Sequence, residues 1–171
     1  MRKIKVLINE EQINKRLDEL ANKLMEEYKG KDLVFLCILK GSVFFTVELS
    51  KRIKNNIQFE FLEVSSYEHN ESTGKIKLNK DITGSIEGKN VIIIEDIIDT
   101  GRTLSFLKEY LLQKNPESLK ICTMLDKPSR RVLPIEADYV GFTIENKFVI
   151  GYGLDDEQNY RNLNYIGYVE E

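Results

Sequence analysis

The chain has 171 residues, of which 42% are hydrophobic and 31% are charged, and its formal net charge is −3. This length fits one compact domain over residues 1–171, and this composition is typical of a globular protein and excludes a largely disordered one. We expect no binding of nucleic acid, because phosphate neutralisation needs clustered lysine and arginine and the chain has no long basic tract.

The first half of the chain alternates strand and helix patterns. Residues 4–8 predict a short strand, and the capping-box sequence NEEQ then opens a helix predicted over 10–28. An apolar run over 33–39 predicts a strand that is buried on both faces, as in a parallel sheet. Residues 42–54 predict the next helix, and the alternating residues 57–64 predict a strand.

The second half begins with a polar segment and then returns to strands. Residues 65–90 have no sustained periodicity, which is typical of a functional loop, although KIKL within them is compatible with a short hairpin. A helix is predicted over 103–114. The strands predicted in this half cover residues 91–95, 119–125, 138–144 and 147–152. The whole pattern predicts an α/β fold with a mainly parallel sheet flanked by helices.

Location and redox state follow from what the chain lacks. The N-terminal sequence has no apolar signal-peptide core, and no apolar run is long enough to span a membrane, so we expect a cytoplasmic protein. Cys37 and Cys122 each lie inside an apolar run of strand length. Buried free thiols are therefore the expected state of both residues.

The segment EDIIDTGRT, residues 95–103, carries the strongest functional signal. Its threonines, glycine and helix start over 100–103 can hold a terminal phosphate. The chain has neither G-x-x-x-x-G-K-[ST] nor G-x-G-x-x-G, which argues against a nucleoside triphosphate or a dinucleotide in its usual cradle. Glu95 and Asp96 fit a sugar diol with bound Mg²⁺. The alternative interpretation is a solvated acidic strand end followed by a plain turn.

The same segment resembles a known family signature. VIIIEDIIDTGRTL is similar to the phosphoribosyl diphosphate motif of the type I phosphoribosyltransferases. Further segments resemble, in order and spacing, the hypoxanthine-guanine phosphoribosyltransferases: LKGS (39–42), SSY (65–67), LDKPSRR (125–131), FVIGYGLD (148–155) and YRNLNYIG (160–167). The resemblance covers nearly the whole chain.

The resemblance implies a purine-salvage enzyme. It implies transfer of the phosphoribosyl group from phosphoribosyl diphosphate to hypoxanthine and guanine, with Mg²⁺, giving IMP or GMP and pyrophosphate. It also implies the fold of the type I family, with a mobile lid over about 65–90 and a small hood made of N-terminal residues and about 148–171. The family forms homo-oligomers, either dimers or tetramers, and often has a cis peptide bond before the lysine position, here between Leu39 and Lys40.

The resemblance also assigns residues to the sugar and phosphate groups. Asp99 matches the general acid/base near N7 of the purine. The ribose hydroxyls are assigned to Glu95 and Asp96. The 5′-phosphate is assigned to Asp99, Thr100, Gly101, Arg102 and Thr103. Pyrophosphate is assigned to Lys40, Gly41 and Arg161.

The remaining assignments concern the base, the metal and the lid. The purine is assigned to Lys127, Phe148, Val149 and Asp155, with the Lys127 ammonium reading the 6-oxo group. The metal ligands are assigned to Glu95, Asp96 and Asp155. The lid is assigned to Ser66 and Tyr67. Without the resemblance, each of these residues has a plainer interpretation. Lys127 would be a solvated loop charge and Arg102 a surface charge. LKGS would be a plain turn, and Phe148 and Val149 would belong to a core strand.

Two alternatives stay open. The enzyme could prefer xanthine or guanine, because main-chain groups near Val149 read the purine 2-position and side chains barely report it. A non-catalytic regulator that binds phosphoribosyl diphosphate is a second alternative. The net negative charge and the presence of Asp99, Lys127 and Asp155 together favour catalysis, and we expect no added DNA-binding segment.

Overall fold

A six-stranded sheet forms the centre of the fold in the computed structural model, which describes residues 3–66 and 75–170, with Ser66 described by its backbone alone. The strands are β1 (Ile4–Ile8), β2 (Leu33–Leu39), β3 (Ile57–Ser66), β4 (Ile76–Lys80), β5 (Asn90–Ile98), β6 (Ser118–Asp126), β7 (Tyr139–Thr143), β8 (Val149–Ile150) and β9 (Ile166–Val169). The helices are α1 (Glu10–Glu27), α2 (Val43–Ser50) and α3 (Arg102–Leu112).

The main sheet has the order β4-β3-β2-β5-β6-β7. Strands β3, β2, β5, β6 and β7 pair in parallel, while β4 pairs with β3 in antiparallel orientation. The predicted α/β fold with a mainly parallel sheet is therefore confirmed. Because the parallel strands run in one direction, the carboxyl ends of β2, β5 and β6 meet at one edge of the sheet.

Helices cover both faces of this sheet. One core contains alternate residues of β2, β5 and β6 packed against α1 and α2, and the other core contains the intervening residues packed against α3. Burial on both faces is the reason why β2 and β5 have nearly continuous apolar sequences. The two free cysteines lie on buried strand positions, as predicted.

Helix α1 begins where the capping box predicts. The Asn9 side chain accepts a hydrogen bond from the Gln12 N–H, and the Gln12 side chain accepts one from the Asn9 N–H, both at 2.9 Å. These two bonds satisfy N–H groups that the first turn of a helix otherwise leaves unpaired. The buried face of α1 consists of Ile13, Leu17, Leu20, Ala21 and Leu24.

Several predicted boundaries were wrong, and those of α2, β5 and β8 differ most. Helix α2 ends at Ser50 rather than at residue 54. After it the chain forms tighter turns, in which each N–H donates to the carbonyl three residues earlier: Arg52 N–H to Leu49 O and Ile53 N–H to Ser50 O, both at 3.1 Å. Strand β5 continues beyond residue 95 to Ile98, where it still pairs with β6. The predicted strand over 147–152 is reduced to the two residues of β8.

A second sheet joins the two ends of the chain. Its order is β1-β9-β8, with antiparallel pairing throughout, and β9 was not predicted. The polar segment 65–90 contains β4, so KIKL does belong to a hairpin with β3. Within the described residues, no helix combines the length and the apolar character needed to cross a membrane.

Candidate active site

The acid pair lies near the carboxyl end of β5, at the edge of the sheet where parallel strands end. Glu95 is 7% exposed, and its carboxylate accepts a hydrogen bond from the Asp96 N–H at 3.0 Å. Asp96 in turn accepts from the Ile97 N–H at 2.7 Å. Burial, with the neighbouring Asp96 carboxylate as the second cause, raises the pKa of Glu95 well above its usual range. Burial also raises the pKa of Asp96, although Arg161 is among the groups that oppose this shift.

The chemistry of this pair suits a hard cation held jointly with a substrate. Both side chains offer carboxylate oxygens, which are the ligands that Mg²⁺ prefers. Among the described residues, no group of three or more His, Cys, Asp or Glu side chains is close enough to hold a metal ion. The pair therefore fits an ion that takes its remaining oxygens from substrate and water, as Mg²⁺ commonly does.

Asp155 belongs to a different part of the site. One of its oxygens accepts the Gln158 N–H at 2.8 Å, and the other lies 3.0 Å from Nη2 of Arg161. Both oxygens thus already have protein partners. In the described part of the chain, Asp155 does not form a single metal-binding cluster with Glu95 and Asp96.

Residues 100–103, which the sequence predicts to hold a phosphate and which we call the phosphate loop, run from just after the end of β5 into the first turn of α3. Gly101 has φ 84°, and an added Cβ there would lie 2.5 Å from Cγ2 of Ile135, so a side chain does not fit. A cavity of about 190 Å³ is lined by residues 95–101, 103 and 104, and α3 begins beside it. Backbone N–H groups and the helix N-terminus make this cavity suitable for an anion.

Arg102 lies differently from its neighbours. It is exposed and lines a separate hollow of about 720 Å³ together with Phe106 and Val132. It does not line the 190 Å³ cavity, whereas Gly101 and Thr103 do.

The segment after β6 is hydrogen-bonded to Asp99 and to Thr100 at the start of the phosphate loop. Val132 N–H donates to Thr100 O at 2.9 Å, and Nη1 of Arg131 donates to Asp99 O at 2.7 Å. Nε of Arg130 donates to Oδ1 of Asp99 at 2.8 Å. Sequence reasoning assigned no role to Arg130 or Arg131, although both lie in the quoted segment LDKPSRR.

Lys127 is brought close to Asp99 by the same segment. It is 6% exposed, and its own N–H donates to Ile98 O at 2.9 Å. Burial lowers the pKa of Lys127, while the Asp99 charge opposes this shift and the Arg130 charge adds to it. A buried ammonium beside these groups does not fit the alternative of a solvated loop charge. Phe148, by contrast, is 62% exposed.

The loop after β2, which contains Lys40 and Gly41, also contacts the acid pair. The Leu39–Lys40 peptide bond is cis. An added Cβ on Gly41 would lie 1.7 Å from Oδ2 of Asp96, and one on Gly153 would lie 1.9 Å from Gly41 O. The loop after β2, the acid pair and the segment after β8 are therefore in direct contact.

Arg161 completes this contact. Its Nη1 donates to Gly153 O at 2.7 Å. Gly41 thus lies against Asp96, the charge of Arg161 acts on Asp96, and Lys40 directly precedes Gly41. Gly153 was not singled out beforehand. Tyr67 lies outside the described residues, and Ser66 is the last residue of β3.

Comparisons with known proteins agree with this geometry. Residues 7–157 match the model of the phosphoribosyl transferase domain. A hypoxanthine-guanine phosphoribosyltransferase of Lactococcus lactis is 49% identical over 164 residues, which cover 95% of this chain and 89% of that protein. The crystal structure of a hypoxanthine-guanine phosphoribosyltransferase from Bacillus anthracis superimposes with a TM-score of 0.93 at 45% identity, covering 99% of this chain and 100% of that one.

Some relatives are much longer. The bifunctional protein TilS/HprT of Listeria innocua is 47% identical over 95% of this chain, and the match covers 25% of the longer protein. The chain thus spans a quarter of that relative's length.

Proposed function

Because the chain belongs to the hypoxanthine-guanine phosphoribosyltransferases, a branch of the phosphoribosyl transferase domain family, we propose that it salvages purines. It transfers the 5-phosphoribosyl group from phosphoribosyl diphosphate to hypoxanthine and guanine, forming IMP and GMP. One observation carries this proposal: an acid pair with a buried Glu95, an anion cavity and a buried lysine meet at one sheet edge. These parts match the ribose, the 5′-phosphate and the purine of the product.

The reaction joins N9 of the base to C1′ of the ribose while the bond from C1′ to pyrophosphate breaks. Positive charge develops on the sugar and negative charge on the leaving group, so fixed charges around C1′ stabilise the transition state. Glu95 and Asp96 hold the ribose hydroxyls. The loop Thr100–Thr103 holds the 5′-phosphate. The hydroxyls of both threonines and the backbone N–H groups of the loop, including the N–H of Arg102, donate to its oxygens.

Asp99 handles the proton of the base. A carboxylate at this position takes the proton from N7 of the neutral purine, which makes the base a better nucleophile. Oδ1 of Asp99 is paired with Arg130 at 2.8 Å. Since this ion pair is partly exposed, with side-chain exposures of 40% and 47%, exchanging it for the purine costs little.

Lys127 selects the base. Its ammonium has three donors and no acceptor, so it pairs with the 6-oxo group of hypoxanthine or guanine and leaves the 6-amino group of adenine unpaired. Its burial supports this role, because a desolvated donor loses more when the partner is wrong. The exposed ring of Phe148 stacks on the base, and Val149 contributes main-chain groups.

Lys40, Gly41 and Arg161 hold pyrophosphate. Glu95 and Asp96 would hold Mg²⁺ together with substrate oxygens, and a second ion would lie near Asp155. The charge of these ions would neutralise the diphosphate. The contact between Gly41 and Asp96 supports this arrangement, because it brings the pyrophosphate loop directly against the acid pair.

The remaining parts of the chain complete the enzyme. We assign the hood to the sheet of β1, β9 and β8 and the lid to about residues 65–90, including Ser66 and Tyr67, within one domain. We place the protein in the cytoplasm and expect a dimer or a tetramer. Exposed apolar side chains on α2 and β3 support self-association: Phe44, Val47, Phe59 and Phe61.

Nucleotide formation with four separate bases tests the proposal. With phosphoribosyl diphosphate and MgCl₂, hypoxanthine and guanine should be converted and adenine should not. Conversion of xanthine in preference to hypoxanthine would support the alternative specificity. Tight binding of phosphoribosyl diphosphate with no conversion of any base would instead support a regulator.

A further inference from the structure

One side-chain oxygen lies between the two cations that we assign to pyrophosphate. Oε1 of Gln158 accepts a hydrogen bond from Nζ of Lys40 at 3.3 Å and another from Nη2 of Arg161 at 3.2 Å. Lys40 follows β2 and Arg161 follows β8, so the amide bridges two remote segments. An oxygen that accepts from both cations occupies the position that suits a diphosphate oxygen.

The backbone around Gln158 is unusual for these residue types. Asp156 and Asn159 exchange backbone hydrogen bonds at 3.2 and 2.9 Å, which leaves Glu157 and Gln158 as the two central residues of a tight turn. Their φ angles are 50° and 68°. A turn with positive φ at both central positions normally takes Asn and Gly, which adopt this conformation at little cost. Gln158 instead has a long side chain at such a position.

The turn also fixes where the Gln158 side chain starts. Its N–H donates to Oδ2 of Asp155 at 2.8 Å, and Oδ1 of Asp155 lies 3.0 Å from Arg161. One carboxylate therefore ties the backbone of Gln158 to one of the two cations that its amide contacts. This arrangement directs the amide oxygen at the two cations.

The two cations depend on Gln158 to different degrees. Arg161 is held independently by Gly153 O at 2.7 Å and by Asp155. In the described part of the chain, the hydrogen-bond partner of the Lys40 ammonium is Gln158. Both bonds to the amide are solvent-exposed, so an incoming charged oxygen can displace the neutral one.

We propose that Gln158 holds the place of a diphosphate oxygen between Lys40 and Arg161 and so sets how tightly the site binds the diphosphate group. The amide oxygen accepts from both cations before phosphoribosyl diphosphate or pyrophosphate binds, and the ligand displaces it when it binds. Affinity for the diphosphate is thereby reduced, which favours release of pyrophosphate after the transfer. This inference rests on the proposed function, because that function assigns the two cations to pyrophosphate.

Two substitutions at this position should act in opposite directions. Gln158→Leu keeps the size of the side chain but removes the competing oxygen, so the Kd for pyrophosphate measured by calorimetry with MgCl₂ should fall by about fivefold. Gln158→Glu supplies a charged competitor, and the same Kd should rise by about tenfold. Gln58→Leu is the matched control, because Oε1 of Gln58 accepts from Lys89 at 2.9 Å, a bond of the same kind outside the site.

Steady-state kinetics separate this role from a merely structural one. For Gln158→Leu, the KM for phosphoribosyl diphosphate should fall and kcat should not rise, because product release becomes slower. If both Gln158 variants weakened binding, or if neither changed the Kd relative to Gln58→Leu, the inference would be wrong while the proposed function stood. If the unsubstituted protein bound no pyrophosphate and formed no nucleotide, the proposed function would fail and the inference with it.

Discussion

The contact between Gly153 and Gly41 allows a single methyl group to test how closely the site is packed. Gly153 has φ +99°, and an added Cβ would lie 1.9 Å from Gly41 O and 3.0 Å from its carbonyl carbon. Because nonbonded atoms of this kind stay about 3 Å apart or more, the two segments must separate by about 1 Å in Gly153→Ala. A displacement of about 1 Å in a binding loop costs on the order of 100-fold in activity. We expect kcat/KM for phosphoribosyl diphosphate to fall by this factor.

The backbone strain of the substitution needs its own control. Alanine in the left-handed region costs about 1–2 kcal/mol wherever it is introduced. Gly30 has φ +72°, and its added Cβ would meet nothing within 4 Å, so Gly30→Ala carries the strain without the contact. Gly30→Ala should melt roughly 2–8 °C below the parent in a thermal scan, and Gly153→Ala at least as far below it. The reasoning is refuted if Gly153→Ala keeps the activity of Gly30→Ala.

Three further predictions concern the base, the proton and the fold. Asp99→Asn should lower turnover by about 10²- to 10⁴-fold while calorimetry finds phosphoribosyl diphosphate binding intact; unchanged turnover would remove Asp99 from the chemistry. Lys127→Ala should abolish hypoxanthine binding in calorimetry and leave phosphoribosyl diphosphate binding as it was, and normal binding of the base would contradict the specificity argument. Tyr139→Phe removes the hydrogen bond that is the main cause of the lowered pKa of Glu27. A lowered carboxyl pKa stabilises the fold above the unfolded value and loses this effect as the pH falls through the folded value. Because the Glu27 side chain is 42% exposed, the loss is at most about 1 kcal/mol, which lowers the melting temperature at pH 7 by no more than roughly 2–4 °C. The difference should shrink below about pH 4, and a difference independent of pH would count against this assignment.

Local sequence carries enough information for the central strands and for the start of α1. Strand β2 has the predicted bounds because its seven residues are apolar throughout, which reflects burial on both faces. The start of α1 follows from the capping box, whose two hydrogen bonds involve residues only three apart. Both features depend on neighbours in the chain, so one short segment is enough to predict them.

The second sheet depends on contacts that no short segment contains. Strand β9 pairs Val169 with Ile4 and Tyr168 with Val149, so each partner comes from a different part of the chain. Strand β8 has two residues, which is too short for a recognisable pattern. Such strands form because remote partners satisfy their backbone groups, and the sequence around them is compatible with a loop.

The candidate site divides in the same way. Residues with a motif of their own, such as Glu95 and Lys127, could be named from the sequence through the family resemblance. Arg130 and Gln158 could not, because their significance lies in which atoms they contact across the site. Gly153 likewise stands out once its distance from Gly41 is known.

The continuation of β5 beyond the acid pair explains how carboxylates and a phosphate loop coexist in one short segment. Because the strand runs on to Ile98 and pairs with β6 as far as Asp126, Glu95 is enclosed by the sheet rather than exposed at its end. Its carboxylate has a backbone N–H as partner, and burial raises its pKa, so the charged form is poorly compensated by the protein alone. The phosphate loop begins only after the strand ends, where backbone N–H groups and the α3 terminus are available. Under the proposed function, the acids meet hydroxyls and a cation, and an incoming sugar phosphate with Mg²⁺ would supply the compensation that the folded chain lacks.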